Sequence, residues 1–147
     1  MTRFADNSKV RFDYEIVEHF TAGLALTGSE VKSIRQGKIS LAGAFVAVRG
    51  NEAYLVSANI EPYQPKNILG EYDPMRPRKL LISKKELEIL INAEESKGLT
   101  IVPISVYNKG RFIKIEVGIG RGKKKFDKRQ AIKKRDIERD IKRTLKR

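Results

Sequence analysis

Alternation of apolar and polar residues predicts short β-strands in the first 120 residues of the chain. Phe12, Tyr14 and Ile16 alternate with charged residues, which is the period of a half-buried strand. The residues before them, up to Lys9, are predicted to form a flexible amino-terminal segment. Further strands are predicted where apolar runs are bounded by turn residues, at 44–48, 53–56, 78–82, 99–107 and 112–117. Gly50-Asn51 lies between the first two of these runs and has the composition of a hairpin turn.

Two helices are predicted by capping boxes, in which a Ser or Thr and a Glu three residues later satisfy each other's backbone N–H groups. The spacing occurs at Thr27 with Glu30 and at Ser83 with Glu86. Gly37 and Gly98 are placed to end these helices in the left-handed conformation. A turn at Ala22-Gly23 is expected to lead from the first strand towards the first helix.

The proline distribution and the number of elements favour one small β domain. Four of the five prolines lie between residues 61 and 77, which predicts a long surface loop. Around it stand about six strands and two short helices, and closure into a barrel would remove exposed strand edges from so small a domain. We therefore predict a mainly β fold with an OB-like barrel over residues 1–119 and a basic tail over residues 120–147.

The positive charge of the chain is concentrated in this tail. The chain carries 31 Lys and Arg against 18 Asp and Glu, a formal charge of +13. Residues 118–147 hold 14 of the basic and 4 of the acidic residues, so that +10 lies there and +3 in the remaining 117 residues. Like charges with little apolar surface do not fold alone, and we expect the tail to be disordered when free and to need a polyanion as partner.

Composition narrows the class of partner. With no Cys and a single His, the chain offers no disulfide, thiolate metal site or histidine cluster. No apolar run reaches the roughly 18 residues that span a bilayer, and no signal-peptide pattern is present, so we expect a cytoplasmic protein. The apolar stripe of the tail, with Ile137 and Ile141, is too narrow for a membrane-surface helix. RNA or DNA is the expected partner.

Catalytic chemistry has weak support in the sequence. Gly118, Gly120 and Gly122 lack the spacing of a phosphate-binding loop and are interpreted as a hinge between barrel and tail. His19 has no candidate nucleophile beside it, and the acidic pair Glu94-Glu95 lacks a third metal ligand. We assign no catalytic residue, no metal and no cofactor.

Two longer motifs occur in order along the chain, L-x-G-x-E-V-K-S over residues 26–33 and G-K-K-x-x-D-K-R over residues 122–129. They are accompanied by Asn7, Arg11, Ala22-Gly23-Leu24, Gly37-Lys38, Asp73-Pro74 and Arg78-Lys79-Leu80-Leu81. With these motifs the chain resembles the SsrA-binding proteins, or small protein B, of bacterial trans-translation. The resemblance covers nearly the whole sequence.

The resemblance implies a monomeric, non-enzymatic RNA-binding protein. Its barrel would bind the tRNA-like domain of transfer-messenger RNA, and its tail would become helical in the decoding centre and mRNA channel of a stalled 70S ribosome. RNA contacts are expected at Asn7, Arg11, Gly23, Glu30, Lys32, Arg35, Lys38 and Lys114. Ribosome contacts are expected at Gly122, Lys123, Lys124, Asp127, Lys128, Arg129, Lys133, Lys134, Arg135, Ile137 and Ile141.

Two other classes of function remain open from the residues alone. A ribosomal protein or general RNA chaperone with an OB-like barrel would bind many RNAs comparably, and a small RNA-processing nuclease would show metal-dependent turnover. The spacing by threes of Lys32, Arg35 and Lys38 predicts a cationic cluster on the first helix, for which a solvated helix face is an equally good interpretation.

Overall fold

Antiparallel strands dominate the computed structural model, which describes residues 2–63 and 72–122. The strands in these ranges are β1 Arg3–Asp6, β2 Tyr14–Leu24, β3 Ile39–Ser40, β4 Phe45–Arg49, β5 Glu52–Val56, β6 Asn59–Ile60, β7 Arg78–Leu81, β8 Leu99–Lys109 and β9 Phe112–Gly122. The helices in them are α1 Ser8–Asp13, α2 Gly28–Arg35 and α3 Lys84–Glu95. The predicted mainly β class with short helices is confirmed, and the tail beyond Gly122 lies outside the described residues.

Seven strands form one sheet in the order β1-β8-β9-β2-β7-β5-β4, and β3 pairs separately with β6. The long strands β2, β8 and β9, each of eleven residues, form adjacent antiparallel pairs within this sheet. The end strands β1 and β4 are not hydrogen-bonded to each other, so within the described residues the sheet does not close. Of the two predicted forms, a closed or a partly closed barrel, the fully closed one is not present in the described residues.

The first thirteen residues form a strand and a helix, where the sequence predicted a flexible amino-terminal segment followed by the start of a strand. β1 pairs with β8, with Asp6 opposite Ser105, and α1 follows directly. Val10 of α1 is buried in a small apolar cluster with Val102 and Ile104. These partners lie almost a hundred residues away in sequence, so no local pattern near the amino terminus reveals them.

The second strand also differs from its prediction, at both ends. Phe12 belongs to α1, and β2 begins at Tyr14. The strand then continues through the predicted turn, because Gly23 is paired with Leu81 of β7 on one side and Lys114 of β9 on the other. Pairing on both sides keeps this glycine extended.

The predicted capping boxes of α2 and α3 are confirmed. The Thr27 hydroxyl accepts a hydrogen bond from the Glu30 backbone N–H at 3.2 Å, and a Glu30 carboxylate oxygen accepts one from the Thr27 N–H at 3.0 Å. Ser83 and Glu86 make the same reciprocal pair. Gly37 directly follows the last residue of α2 and its cap, and has the predicted positive φ angle, 78°. Gly98 also has a positive φ angle, 86°, but it lies two residues beyond Ser96, the extended residue that caps α3, and so does not end that helix.

The predicted hairpins are also present. Gly50, with a φ angle of 62°, connects β4 to β5, and Gly110, also at 62°, connects β8 to β9. Residues 61–63 and 72–77 of the predicted proline loop contain no helix or strand, and its remainder lies outside the described residues. The short strand β6 precedes this loop.

One main apolar cluster joins the sheet to the helices. Ile34 of α2 and Leu90 of α3 are fully buried in it, together with Leu55, Ile60 and Ile115 from the strands. Burial of several large aliphatic side chains, each contributing about 1.5 to 3 kcal/mol, holds both helices on the sheet. The opposite face of α2 is left free to carry exposed charges.

Candidate nucleic-acid interface

The cations of α2 lie on its exposed face, opposite the buried Ile34. The Lys32 ammonium lies 5.4 Å from the centroid of the Tyr63 ring, in the segment that follows β6. Lys38 follows the helix, is half-buried, and its carbonyl accepts a hydrogen bond from the Glu61 N–H at 3.1 Å. Lys32 and Lys38 therefore both adjoin the start of the proline loop.

Arg35 points to a different neighbour, the β8–β9 hairpin. One guanidinium nitrogen donates to the Arg111 carbonyl at 2.8 Å, and the other donates to the Asn108 side-chain oxygen at 3.3 Å. Arg35 remains exposed. The predicted cluster of three cations is thus divided between the loop and the hairpin.

Gly23 and Lys114, both predicted as RNA contacts, are cross-strand partners. A Cβ added at Gly23 would lie 3.2 Å from the Leu81 Cβ and 3.6 Å from the Lys114 ammonium. The ammonium therefore lies over bare backbone at Gly23. It is also 5.8 Å from the centroid of the Phe112 ring.

Asn7 and Arg11 form a separate group at the β1 edge of the sheet. The Asn7 side-chain amide donates to the Pro103 carbonyl at 3.2 Å, and its backbone N–H donates to the Ile104 carbonyl at 2.8 Å. The Arg11 guanidinium contacts both carboxylate oxygens of Asp6, at 2.8 and 3.1 Å. Asn7 is thus fixed on β8, and the charge of exposed Arg11 is shared with Asp6.

Glu30 lies inside the protein, in an ionic cluster with two arginines. The fully buried Arg78 donates to one Glu30 oxygen from two nitrogens, at 2.6 and 2.8 Å. Arg76 donates to both carboxylate oxygens, and the Tyr72 hydroxyl donates at 3.3 Å. The remaining Arg78 nitrogen donates to two carbonyls, of Ala58 and Pro74. The cluster ties α2 to the end of the proline loop.

The electrostatics of this cluster favour the charged carboxylate. Burial raises the pKa of Glu30, but hydrogen bonds from Arg76, from the Thr27 N–H and from Arg78 together outweigh burial and lower the pKa from 4.5 to about 2. Because the side chain is only 1% exposed, we expect Glu30 to support the RNA-binding surface from below. Direct contact of Glu30 with RNA stays a prediction.

The sequence analysis named Arg78 only as part of a motif and a predicted strand, and it did not name Arg76 or Tyr72. Burial alternates along β7, so that Arg78 and Leu80 face inward while Lys79 and Leu81 face outward. The sequence contained one signal for the burial of Arg78, namely that it stands two residues before Leu80, on the same face of the predicted strand. Its partner Glu30, 48 residues earlier, could not be inferred from local sequence.

The glycines near the end of β9 belong to the strand and do not form the predicted hinge. A Cβ at Gly118 would lie 2.7 Å from the Ile104 side chain, and one at Gly120 would lie 2.8 Å from the Tyr14 side chain. The absence of side chains therefore allows close packing with β2 and β8. Gly122 ends the strand opposite Tyr14, three residues beyond the predicted boundary at 119.

His19 and Glu94, which the sequence offered as candidates for catalysis or metal binding, each have an ionic neighbour among the described residues. His19 Nδ1 lies 3.3 Å from a carboxylate oxygen of Glu116 on the exposed side of β2. Over the described ranges, no group of three or more His, Asp or Glu residues is placed to hold a metal ion. No helix in the described part of the chain is long and apolar enough to cross a membrane.

Comparison with known proteins decides the family. The sequence model of the SmpB protein family matches residues 4–147. The chain belongs to the SmpB family. The SsrA-binding protein of Chloroflexus aggregans is 48% identical over 143 residues, which cover 97% of this chain and 90% of that protein. The SsrA-binding protein of Microcystis aeruginosa is 49% identical over 142 residues, covering 97% and 92%.

A solved structure extends the SmpB match to the fold. It is described as "tmRNA-SmpB: a journey to the center of the bacterial ribosome", is 42% identical and has a TM-score of 0.67. The match covers 86% of this chain and 92% of that chain. The resemblance found in the sequence motifs is thereby confirmed.

The predicted tail residues fall within the SmpB family match but outside the described residues, except for Gly122. The undescribed ones are Lys123, Lys124, Asp127, Lys128, Arg129, Lys133, Lys134, Arg135, Ile137 and Ile141. Their ribosome contacts stay predictions.

Proposed function

We propose that this chain binds transfer-messenger RNA and delivers it to stalled ribosomes for trans-translation, so that the nascent peptide is tagged for degradation and the ribosome is rescued. The observation that carries the proposal is the match, over 92% of its length, to the SmpB chain whose description names tmRNA and the bacterial ribosome. The chain would act in the cytoplasm as a monomeric, non-enzymatic carrier without a cofactor.

The exposed surface of the sheet and α2 suits a folded RNA. Such RNA is recognised largely through shape, phosphates and 2′-hydroxyls, which require a rigid surface with cationic and polar side chains. Arg35 and Lys114 supply exposed or half-exposed cations on two elements. The Glu30 cluster and the Arg35 contacts support rigidity, because they connect α2 to the loop and to the hairpin.

The tail completes the proposal as a sensor of a vacant mRNA channel. Its charge, +10 over residues 118–147, attracts it to a channel lined with rRNA, whereas an mRNA already there would exclude it by volume. Because the tail is expected to fold only when it binds, it would become ordered only where the mRNA channel is vacant. We place the start of the tail after Gly122, because β9 runs to that residue.

The most direct test is identification of the RNA that co-purifies with the protein from its native host. We expect one dominant species with a tRNA-like end. A broad mixture of rRNA and mRNA fragments would favour the general RNA chaperone instead.

A second test concerns the cations of α2 and the residue that follows it, Lys32, Arg35 and Lys38. Changing all three to Ala is expected to weaken transfer-messenger RNA binding and to flatten the plot of log affinity against log salt by about 0.7 to 0.9 for each phosphate that is no longer neutralised. A matched control changes three exposed cations at the ends of α3, Lys84, Lys85 and Lys97. Equal slopes in the two triple variants would identify the α2 cations as a solvated helix face.

A further inference from the structure

Phe112, at the tip of the β8–β9 hairpin, is the most exposed large apolar side chain in the described residues, at 63%. It is the first residue of β9 and is paired with Lys109, across the turn formed by Gly110 and Arg111. A phenylalanine this exposed contributes little to the core. Its ring is available to a ligand.

Four cations lie on or beside this hairpin, and one of them lies near the ring. We call Arg35, Lys109, Arg111, Phe112 and Lys114 the hairpin patch. The Lys114 ammonium lies 5.8 Å from the ring centroid, and Arg35 is hydrogen-bonded to the Arg111 carbonyl at 2.8 Å. Among the described residues, none of the four cations has a carboxylate within 4.0 Å, whereas Arg11, Arg49, Arg78 and Lys79 each have one. The positive charge of the patch is uncompensated.

The patch continues onto the neighbouring strands of the sheet. Lys114, Gly23 and Leu81 follow one another across β9, β2 and β7, and Leu81 is 54% exposed. Gly23 itself is buried, because the Leu81 side chain and the Lys114 ammonium lie close together over its backbone. An exposed aromatic ring, an exposed leucine and cations without a carboxylate partner therefore lie on one continuous surface.

We propose that the hairpin patch holds an unpaired nucleotide of the bound RNA, with its base stacked on Phe112 and its flanking phosphates at Lys114 and Arg111. Stacking on an aromatic side chain beside cations is the common way in which proteins bind unpaired nucleotides. The inference rests on the proposed function, because it takes RNA as the ligand. It adds Lys109, Arg111 and Phe112 to the predicted RNA contacts.

The positive charge of the hairpin patch favours RNA over a second copy of this chain as the molecule bound there. A twofold dimer through this patch would bring four cations of one copy against the same four of the other, and like charges across an interface are unfavourable. The cores of protein interfaces are also depleted of charged residues. RNA can pair its phosphates with the cations of the patch and stack an exposed base on the Phe112 ring.

The test uses the full chain and transfer-messenger RNA, with binding measured at several salt concentrations. Phe112→Leu removes the ring but keeps an apolar side chain, and is expected to weaken binding about 5- to 150-fold, the range for loss of one stacked base. Phe112→Tyr keeps the ring and should bind within about twofold of the unchanged protein. Phe45→Leu, at another exposed phenylalanine on β4, is the matched control and should have no effect.

The salt dependence distinguishes stacking from charge. Phe112→Leu should leave the slope unchanged, while Lys114→Gln should lower it by about 0.7 to 0.9. Photocrosslinking from residue 112 should reach an unpaired base, and crosslinks confined to paired helices would overturn the inference.

The outcomes also separate this inference from the proposed function. If the unchanged protein binds transfer-messenger RNA selectively and Phe112→Leu binds equally well, the hairpin patch is refuted and the proposed function stands. If the protein shows no preference for that RNA, the proposed function fails, and the same variants on the RNAs that do bind still decide about stacking. If Phe112→Leu abolishes self-association in sedimentation and leaves RNA affinity unchanged, the patch is a protein interface.

Discussion

Replacing Glu30 with Gln should destabilise the protein strongly, because it removes the negative charge that faces Arg78 in the interior. Both side chains are fully buried, and the closest nitrogen and oxygen are 2.6 Å apart. Gln retains the shape and one acceptor, and two backbone carbonyls still accept from Arg78. The guanidinium charge, however, would lose its buried carboxylate partner.

The expected loss of stability in Glu30→Gln can be estimated from the pKa of Glu30. The interval between the ordinary value of 4.5 and the folded value of about 2 corresponds, at about 1.4 kcal/mol per pH unit, to about 3 to 4 kcal/mol. Breaking a buried ion pair on one side generally costs about 3 to 5 kcal/mol. We therefore expect Glu30→Gln to lower the free energy of unfolding by about 3 to 4 kcal/mol at pH 7. With a urea m value of about 2 kcal/mol/M, the midpoint would fall by about 1.5 to 2 M.

The effect also has a predicted pH dependence. Because the folded pKa lies below the unfolded one, the carboxylate contributes its full stabilisation above pH 4.5 and loses it as the pH falls towards 2. The stability difference between the unchanged protein and Glu30→Gln should narrow over this window. Urea unfolding at a series of pH values measures it.

Glu86→Gln is the matched control. Glu86 has the same place in the α3 capping box, where its carboxylate accepts the Ser83 N–H at 3.1 Å, but it makes no ion pair with an arginine among the described residues. Gln serves well at this position of a capping box, so the control should be almost neutral. Equal destabilisation by the two substitutions, or a difference that does not change with pH, would refute the argument from the buried ion pair.

The end of β9 and the tail give three further predictions. Gly120→Ala should lower the free energy of unfolding by about 1 to 3 kcal/mol, because the new Cβ would lie 2.8 Å from Tyr14; an unchanged urea midpoint would contradict this. A chain ending at Gly122 should fold and bind transfer-messenger RNA yet fail to support tagging on stalled ribosomes, and loss of RNA binding would count against a separate tail. In the same assay Asp127→Asn should retain most tagging, whereas Asp127→Ala, which removes an N-cap contributing about 0.5 to 2 kcal/mol, should lose much of it. Equal failure of both would show that the charge itself is needed.

Local sequence determined the elements whose stabilising contacts are also local. Each capping box spans four residues, and each hairpin turn depends on a glycine with positive φ between two apolar runs, so α2, α3 and the two hairpins were predictable. The concentration of charge in the last thirty residues is likewise a property of composition alone. The family motifs narrowed the predicted partner from nucleic acid in general to transfer-messenger RNA.

Tertiary structure alone decided which distant residues meet. β1 and α1 form because they pack on β8, and β2 continues through Gly23 because strands from two other parts of the chain pair with it. The buried charge of Arg78 meets the carboxylate of Glu30, which lies 48 residues away in sequence. The division of Lys32 and Arg35 between loop and hairpin, and the cations around Phe112, have the same origin. Such contacts depend on strand order and register, which a pattern of period two or 3.6 does not encode.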